Sequence, residues 1–266
     1  MIIRTLALCA AIAAACAHKQ EAIQLRYKFS PGQTDRYQID LSVLTTTPDQ
    51  PPTGKPIPLR GGGTSVVKIE KVEPDGSAQV IATMENFRVG GRPTIDGAQT
   101  SKYTLSAQGI ATDPGPAKPV DKGQKSVDPR VLARLCTILP PGPAKPGDSW
   151  KNQVPDPLSG GGSVQVIGRF FRMETLDGVE TARVHQSMSI PMVVEMAVAG
   201  SKNVVKVTGS VTISSAINFD PAAGKVLRSS VSGHGVLRAI SEGAAPSPDD
   251  PPSLDFKVDV VATLVH

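Results

Sequence analysis

Residues 204–219 read Val-Val-Lys-Val-Thr-Gly-Ser-Val-Thr-Ile-Ser-Ser-Ala-Ile-Asn-Phe. Apolar side chains fall at Val205, Val207, Val211, Ile213, Ile217 and Phe219, with Lys206, Thr208, Ser210, Thr212, Ser214 and Asn218 between them. A period of two predicts a β-strand with one buried face and one wet face, as in antiparallel sheets. The same beat recurs in Tyr37, Ile39, Leu41 and Val43, and in Leu254, Phe256, Val258, Val260, Ala262 and Leu264. Shorter runs at 65–72, 77–89, 101–107, 163–173, 180–190, 192–199 and 226–238 complete the pattern. The chain therefore reads as all-β, with antiparallel curved sheets or half-barrel-like units.

Turn chemistry agrees. Glu73-Pro74-Asp75-Gly76 and Leu176-Asp177-Gly178-Val179 each separate two apolar runs, as hairpin turns do. Asp220-Pro221-Ala222-Ala223-Gly224 suits a type I turn closed by a left-handed glycine. Proline has no amide proton for a ladder, so the Pro-rich stretches 48–60, 113–121 and 244–252 are expected as loops. The glycine triplets at 61–63 and 160–162 lack the Lys-Ser/Thr of a phosphate loop and are expected to loosen the chain where strands begin. One short helix is predicted near 128–138. Asp128 can cap it, Pro129 fits its first turn, and Val131, Leu132, Leu135, Cys136 and Leu139 share a face.

The N-terminus carries an address. Residues 1–16 have one positive charge at Arg4, an apolar stretch from Ile2 to Ala15, then Cys16. That stretch is shorter than the roughly 20 apolar residues of a membrane-spanning helix and fits a secretory signal peptide. Ala13, Ala14 and Ala15 suit either ordinary cleavage or removal before a lipid-modified Cys16. Expected boundaries are a signal peptide over 1–15, a tether over 16–23, a first β unit over 24–127, a helix and Pro-rich connection over 128–145, and a second β unit over 146–266. Pro31-Gly32-Gln33-Thr34 recurs as Pro146-Gly147-Asp148-Ser149, each with an aromatic residue soon after, Tyr37 and Trp150, which suggests an internal duplication.

The stretches YKFSPGQTDRYQI and LPPGPAKPGDSW (27–39 and 139–150) resemble exported bacterial lipoproteins of unknown function. Those open with Tyr-x-Phe-x-Pro-Gly and carry a Pro-x-Gly-Asp-Ser-Trp element mid-chain. Ile12-Ala13-Ala14-Ala15-Cys16 is similar to their lipobox, which implies lipidation at Cys16 and attachment to the membrane. Ala17, a non-acidic residue after the cysteine, implies outer-membrane sorting by the same resemblance. A secreted or free periplasmic protein is the alternative. A fainter similarity is to the half-barrel carriers that move lipoproteins through the periplasm.

Chemistry-bearing residues are scattered. Charges are nearly balanced, with 28 Lys and Arg against 24 Asp and Glu, and no basic run is present, which argues against nucleic acid. Removing the leader takes away Arg4 and no other charge. Cys9 leaves with it and Cys16 is claimed by lipid, so Cys136 stands alone. His185 and His234 fall on the polar faces of their strands, and no histidine pair has metal-ligand spacing. Met188, Met192 and Met196 recur every four residues. On a helix they would stack as soft metal ligands. On a strand they share a face but lie roughly 13 Å apart, too far to chelate one ion. Trp150, Met188, Met192 and Met196 are therefore expected to pack in the core or line a cleft. No catalytic group and no cofactor site is nominated. The expectation is a non-enzymatic cell-envelope lipoprotein that binds an envelope protein or an apolar ligand. A periplasmic carrier of an acyl chain is the alternative, and an enzyme whose residues meet only in the fold is a third reading.

Overall fold

The computed structural model describes residues 21–46, 58–93, 98–112, 137–156, 162–197, 204–239 and 254–265. Twelve strands follow one another: β1 (Thr34–Thr46), β2 (Leu59–Val72), β3 (Ala78–Val89), β4 (Arg92–Pro93), β5 (Gln99–Leu105), β6 (Ala111–Thr112), β7 (Ser149–Pro155), β8 (Ser163–Leu176), β9 (Val179–Ala197), β10 (Val204–Asp220), β11 (Lys225–Ala239) and β12 (Leu254–Val265). All pair antiparallel in a single sheet of order β6-β5-β3-β2-β1-β12-β11-β10-β9-β8-β7, with β4 on β3. The chain is all-β, and the sheet curls until it is nearly closed into a barrel.

The alternation determines which face turns inward. Tyr37, Ile39, Leu41 and Val43 on β1 stand across from Leu264, Ala262, Val260 and Val258 on β12. On β9 and β10, Val184, Met188 and Ile190 face Ile217, Ile213 and Val211. The described outer face is mostly polar, with arginine, lysine, serine and aspartate, and Ile167 and Phe171 exposed among them. That is the reverse of a membrane-spanning barrel, whose apolar band faces lipid.

One end of the barrel is tight. Leu176–Val179 is a two-residue hairpin with positive φ at Asp177 (51°) and Gly178 (83°), the backbone that matches strand twist. At 220–224 the Asp220 carboxylate accepts from the amides of Ala222 and Ala223, and Gly224 closes the turn on the Asp220 carbonyl. Two arms seal this end. The segment 23–28 bonds through Ile23 to Ala144, through Tyr27 to Ala107 and through Lys28 to Gly224. The segment 137–144 lies beside it, with Leu139 donating to Gln108. Leu25 and Leu139 are fully buried there.

The two Pro-Gly motifs build the same turn. Gly32 donates to the Ile69 carbonyl and Ile69 donates back to Gln33, while Gly147 donates to Phe170 and Phe170 donates back to Asp148. In each turn the side chain after the glycine accepts from the amide three residues earlier, Ser30 in one and Lys145 in the other. Both partner strands carry a bulge there, at Ile69/Lys71 and Phe170/Arg172. The two expected β units thus begin alike, and the β1–β12 ladder joins them into one sheet.

Several expectations change. No helix occurs among the described residues. Most of the helix predicted near 128–138, Cys136 included, lies outside them, and its described end is irregular, non-helical chain from Thr137. That end is pinned inside the barrel. Gln186 receives the Ile138 amide and donates to its carbonyl, Trp150 Nε1 donates to the same carbonyl at 3.1 Å, and Asn152 donates to Leu139. Most of the Pro-rich stretches also lie outside the described residues, but Leu59 and Arg60 already belong to β2. Gly61–Gly63 lie within β2 rather than ahead of a strand. A Cβ on Gly63 would stand 2.8 Å from the Glu85 carbonyl oxygen, so the missing side chain admits the bulged β3 backbone. Pro191 lies inside β9, where the ladder to β8 has already stopped at Val166–Met188 and only β10 is paired.

Candidate functional site

The barrel interior divides into a filled part and a hollow. Within β7–β10 the inward side chains Val154, Val164, Val166, Phe170, Val184, Ile190, Ile213, Ile217 and Phe219 are all buried, with Ile138 and Leu139 wedged among them. Trp150 lies flat over Gly168, where a Cβ would come within 2.2 Å of the indole. Such burial contributes about 1.5–3 kcal/mol for each large apolar side chain.

Across the barrel, β1, β2, β3, β5, β11 and β12 surround a cavity of about 220 Å³. Its wall is Tyr37, Ile39, Val67, Ala82, Met84, Tyr103, Leu105, Val226, Val231, Val260 and Ala262, and Tyr27 and Thr137 from the two arms contribute at the sealed end. The space exists because small side chains, Ser65, Ala82 and Ala262, occupy inward positions on neighbouring strands. Tyr27 couples hollow to core, its ring edge-on to Phe219 at 5.5 Å and stacked on Phe29 at 5.7 Å. The Tyr37 hydroxyl donates to the Val226 carbonyl at 3.2 Å, which ties β1 to β11 across the intervening β12. Chemically the cavity offers apolar contact, aromatic rings and a few hydroxyls, with no acid or base among its walls.

The residues singled out from sequence divide accordingly. Trp150 and Met188 are core residues, 8% exposed each, in two different clusters, and Met192 is half-buried against that of Met188. None of the three lines the hollow. Met196 is in β9 opposite Val205, with its side chain outside the described set. Cys16 lies outside the described residues. His185 and His234 are exposed on the outer face, His234 bonded to Asp255 at 3.0 Å. Among the described residues no three His, Cys, Asp or Glu converge as a metal site. Sequence reasoning missed Tyr27, Tyr103 and Met84. Met84 and Tyr103 fell within expected strand runs, but the runs did not say which residues would stand across empty space, and Tyr27 lies in an arm ahead of β1 that no run covered. No protein-family model and no curated protein matches the chain.

Proposed function

We propose that this is an exported envelope lipoprotein, anchored through Cys16, that takes a small apolar group into the hollow half of its barrel without transforming it. The observation that carries the reading is the cavity of about 220 Å³ with an apolar and aromatic wall. An apolar void of roughly 150 Å³ already accepts benzene, whereas drug-sized ligands occupy roughly 300 Å³ or more. The size therefore favours a short acyl chain, or the end of a longer one, over a whole lipid. The leader and the lipobox-like segment supply the address.

The test uses N-phenyl-1-naphthylamine, a fluorophore that brightens in apolar surroundings, with octanoate as competitor. Wild type is expected to enhance its emission, and octanoate to reverse the effect. The double variant Ser65→Leu/Ala82→Leu fills the space and is expected to weaken binding at least about ten-fold while unfolding near the wild-type temperature, because the added carbons enter a void. Equal binding by both proteins, or none by either, defeats the reading. Native mass spectrometry of the protein drawn from its own membrane reports separately on a lipid at Cys16.

A further inference from the structure

On the outer face of β8–β11, toward the sealed end, four arginines and one carboxylate occupy neighbouring register positions. The register sets Arg172 across from Arg183, Arg183 across from Asn218 and Asn218 across from Arg228, while Arg169 faces His185. Like charges directly opposed on neighbouring strands repel. Glu174 answers part of that charge, with Oε2 2.7 Å from Arg172 Nη2 and Oε1 3.8 Å from Arg183 Nη1. Asn218, only 2% exposed, locks the arrangement. It accepts from Arg183 at 2.5 Å and donates to Glu174 at 2.7 Å and to Thr181 at 3.1 Å. Arg169 and Arg228 remain exposed. The groove beside Arg228 is about 500 Å³, with Phe171, Arg172, Glu174, Arg183, His185 and Arg228 on its walls, and Arg169 stands at its margin across from His185. His185 senses the imbalance: burial, then the charges of Arg183, Arg169 and Arg172, push its pKa down. Phe171, 42% exposed, stacks on His185 at 5.0 Å with the Arg172 guanidinium 5.2 Å from its ring centre.

The chain enters the barrel at the same end. Ile23 pairs with Ala144 and packs on the interior cluster that closes that end. Seven residues lead from Cys16 to Ile23 and reach at most roughly 25 Å. A lipid on Cys16 would keep this end of the barrel, toward which the arginines lie, within one short tether of the bilayer.

We propose that this groove docks on the phosphates of anionic lipid headgroups, holding the barrel against a charged membrane surface. The orientation rests on the anchor reading above. The chemistry rests on the arginines, whose planar forks match phosphate oxygens, and on Phe171, an aromatic ring poised for the headgroup level.

The full-length chain carrying Cys16→Ser, which cannot be lipidated there, is sedimented with two kinds of vesicle. One is phosphatidylcholine alone and the other equal parts phosphatidylcholine and phosphatidylglycerol. Tighter binding to the anionic vesicles is expected. Arg169→Gln and Arg228→Gln should each weaken it roughly five-fold, and the pair roughly 25-fold. Lys68→Gln, which removes the same charge from exposed β2, should have less than about a two-fold effect. Both arginine substitutions leave the Glu174–Asn218–Arg183 bonds intact, and a thermal melt confirms the fold. Equal binding to both vesicles, arginine variants that behave like Lys68→Gln, or displacement by dilute inorganic phosphate at constant ionic strength each overturns the proposal. An unlipidated Cys16 in the native protein would instead defeat the anchor reading and leave the vesicle result standing.

Discussion

The β7–β10 side of the barrel is filled, whereas the side built from β1, β2, β3, β5, β11 and β12 keeps a hollow, although both sides begin with the same Pro-Gly turn and follow the same alternation. The filled side places large residues, Phe170, Ile190, Ile217 and Phe219, where facing strands bring them together, and the connection adds Ile138 and Leu139. The hollow side sets Ser65 and Ala82 among Tyr37, Met84 and Tyr103, and its β12 wall, Val260 and Ala262, is only half-buried. Binary patterning can produce a sheet, but the volume of the inward residues determines whether its interior is core or cavity.

Truncation is the strongest way to probe that contrast. Phe170→Ala removes a ring with no exposure and is expected to cost about 3–5 kcal/mol. Met84→Ala opens onto existing space and should cost nearer about 2 kcal/mol. Urea denaturation of the two variants measures the gap, and equal losses would mean that the hollow is packed in solution.

The paired turns provide a finer comparison. Gly32 and Gly147 hold φ at 80° and 98°, and a Cβ on either meets nothing within 4 Å. Gly32→Ala and Gly147→Ala should therefore each lose about 1–2 kcal/mol through backbone strain alone. Thermal melts that differ widely between them would break the equivalence of the two turns.

The smallest effect concerns Glu174. Its hydrogen bond from Asn218 and the contacts with Arg172 and Arg183 hold its carboxyl below the usual value of 4.5, against the opposing effect of burial. A depressed acid stabilises the fold above its ordinary pKa and loses that contribution as pH falls through the folded value. Wild type should exceed Glu174→Gln by about 0.5–1 kcal/mol at neutral pH. The difference should shrink as pH falls below 4.5 and the carboxylate takes up its proton, as read from urea midpoints at neutral and acidic pH.

Much of the fold is legible residue by residue. The beat of Val205 to Phe219 and of Leu254 to Leu264 marks strands, and Asp177-Gly178 and Asp220–Gly224 mark turns whose φ values the structure reproduces. Alternation also placed His185 and His234 on the wet face. The candidate site was far less legible. The sequence leaves Trp150 and Met188 in a core or a cleft, and only the irregular run through Ile138, held by Gln186, puts Trp150 in the core. Arg169, Arg172, Arg183 and Arg228 lie far apart along the chain and meet through strand register. The bulge at Phe170/Arg172, invisible to a period of two, brings Phe171 and Arg172 out together.

The amino-acid order alone determined the strands, their wet and dry faces and the hairpin turns, because each depends on neighbours within a few residues. Tertiary structure decided that β1 would meet β12, that one side would fill and the other stay hollow, and that scattered arginines would share a groove. Those outcomes depend on which strands lie side by side and how much volume meets across the barrel, and neither is a property of any local stretch.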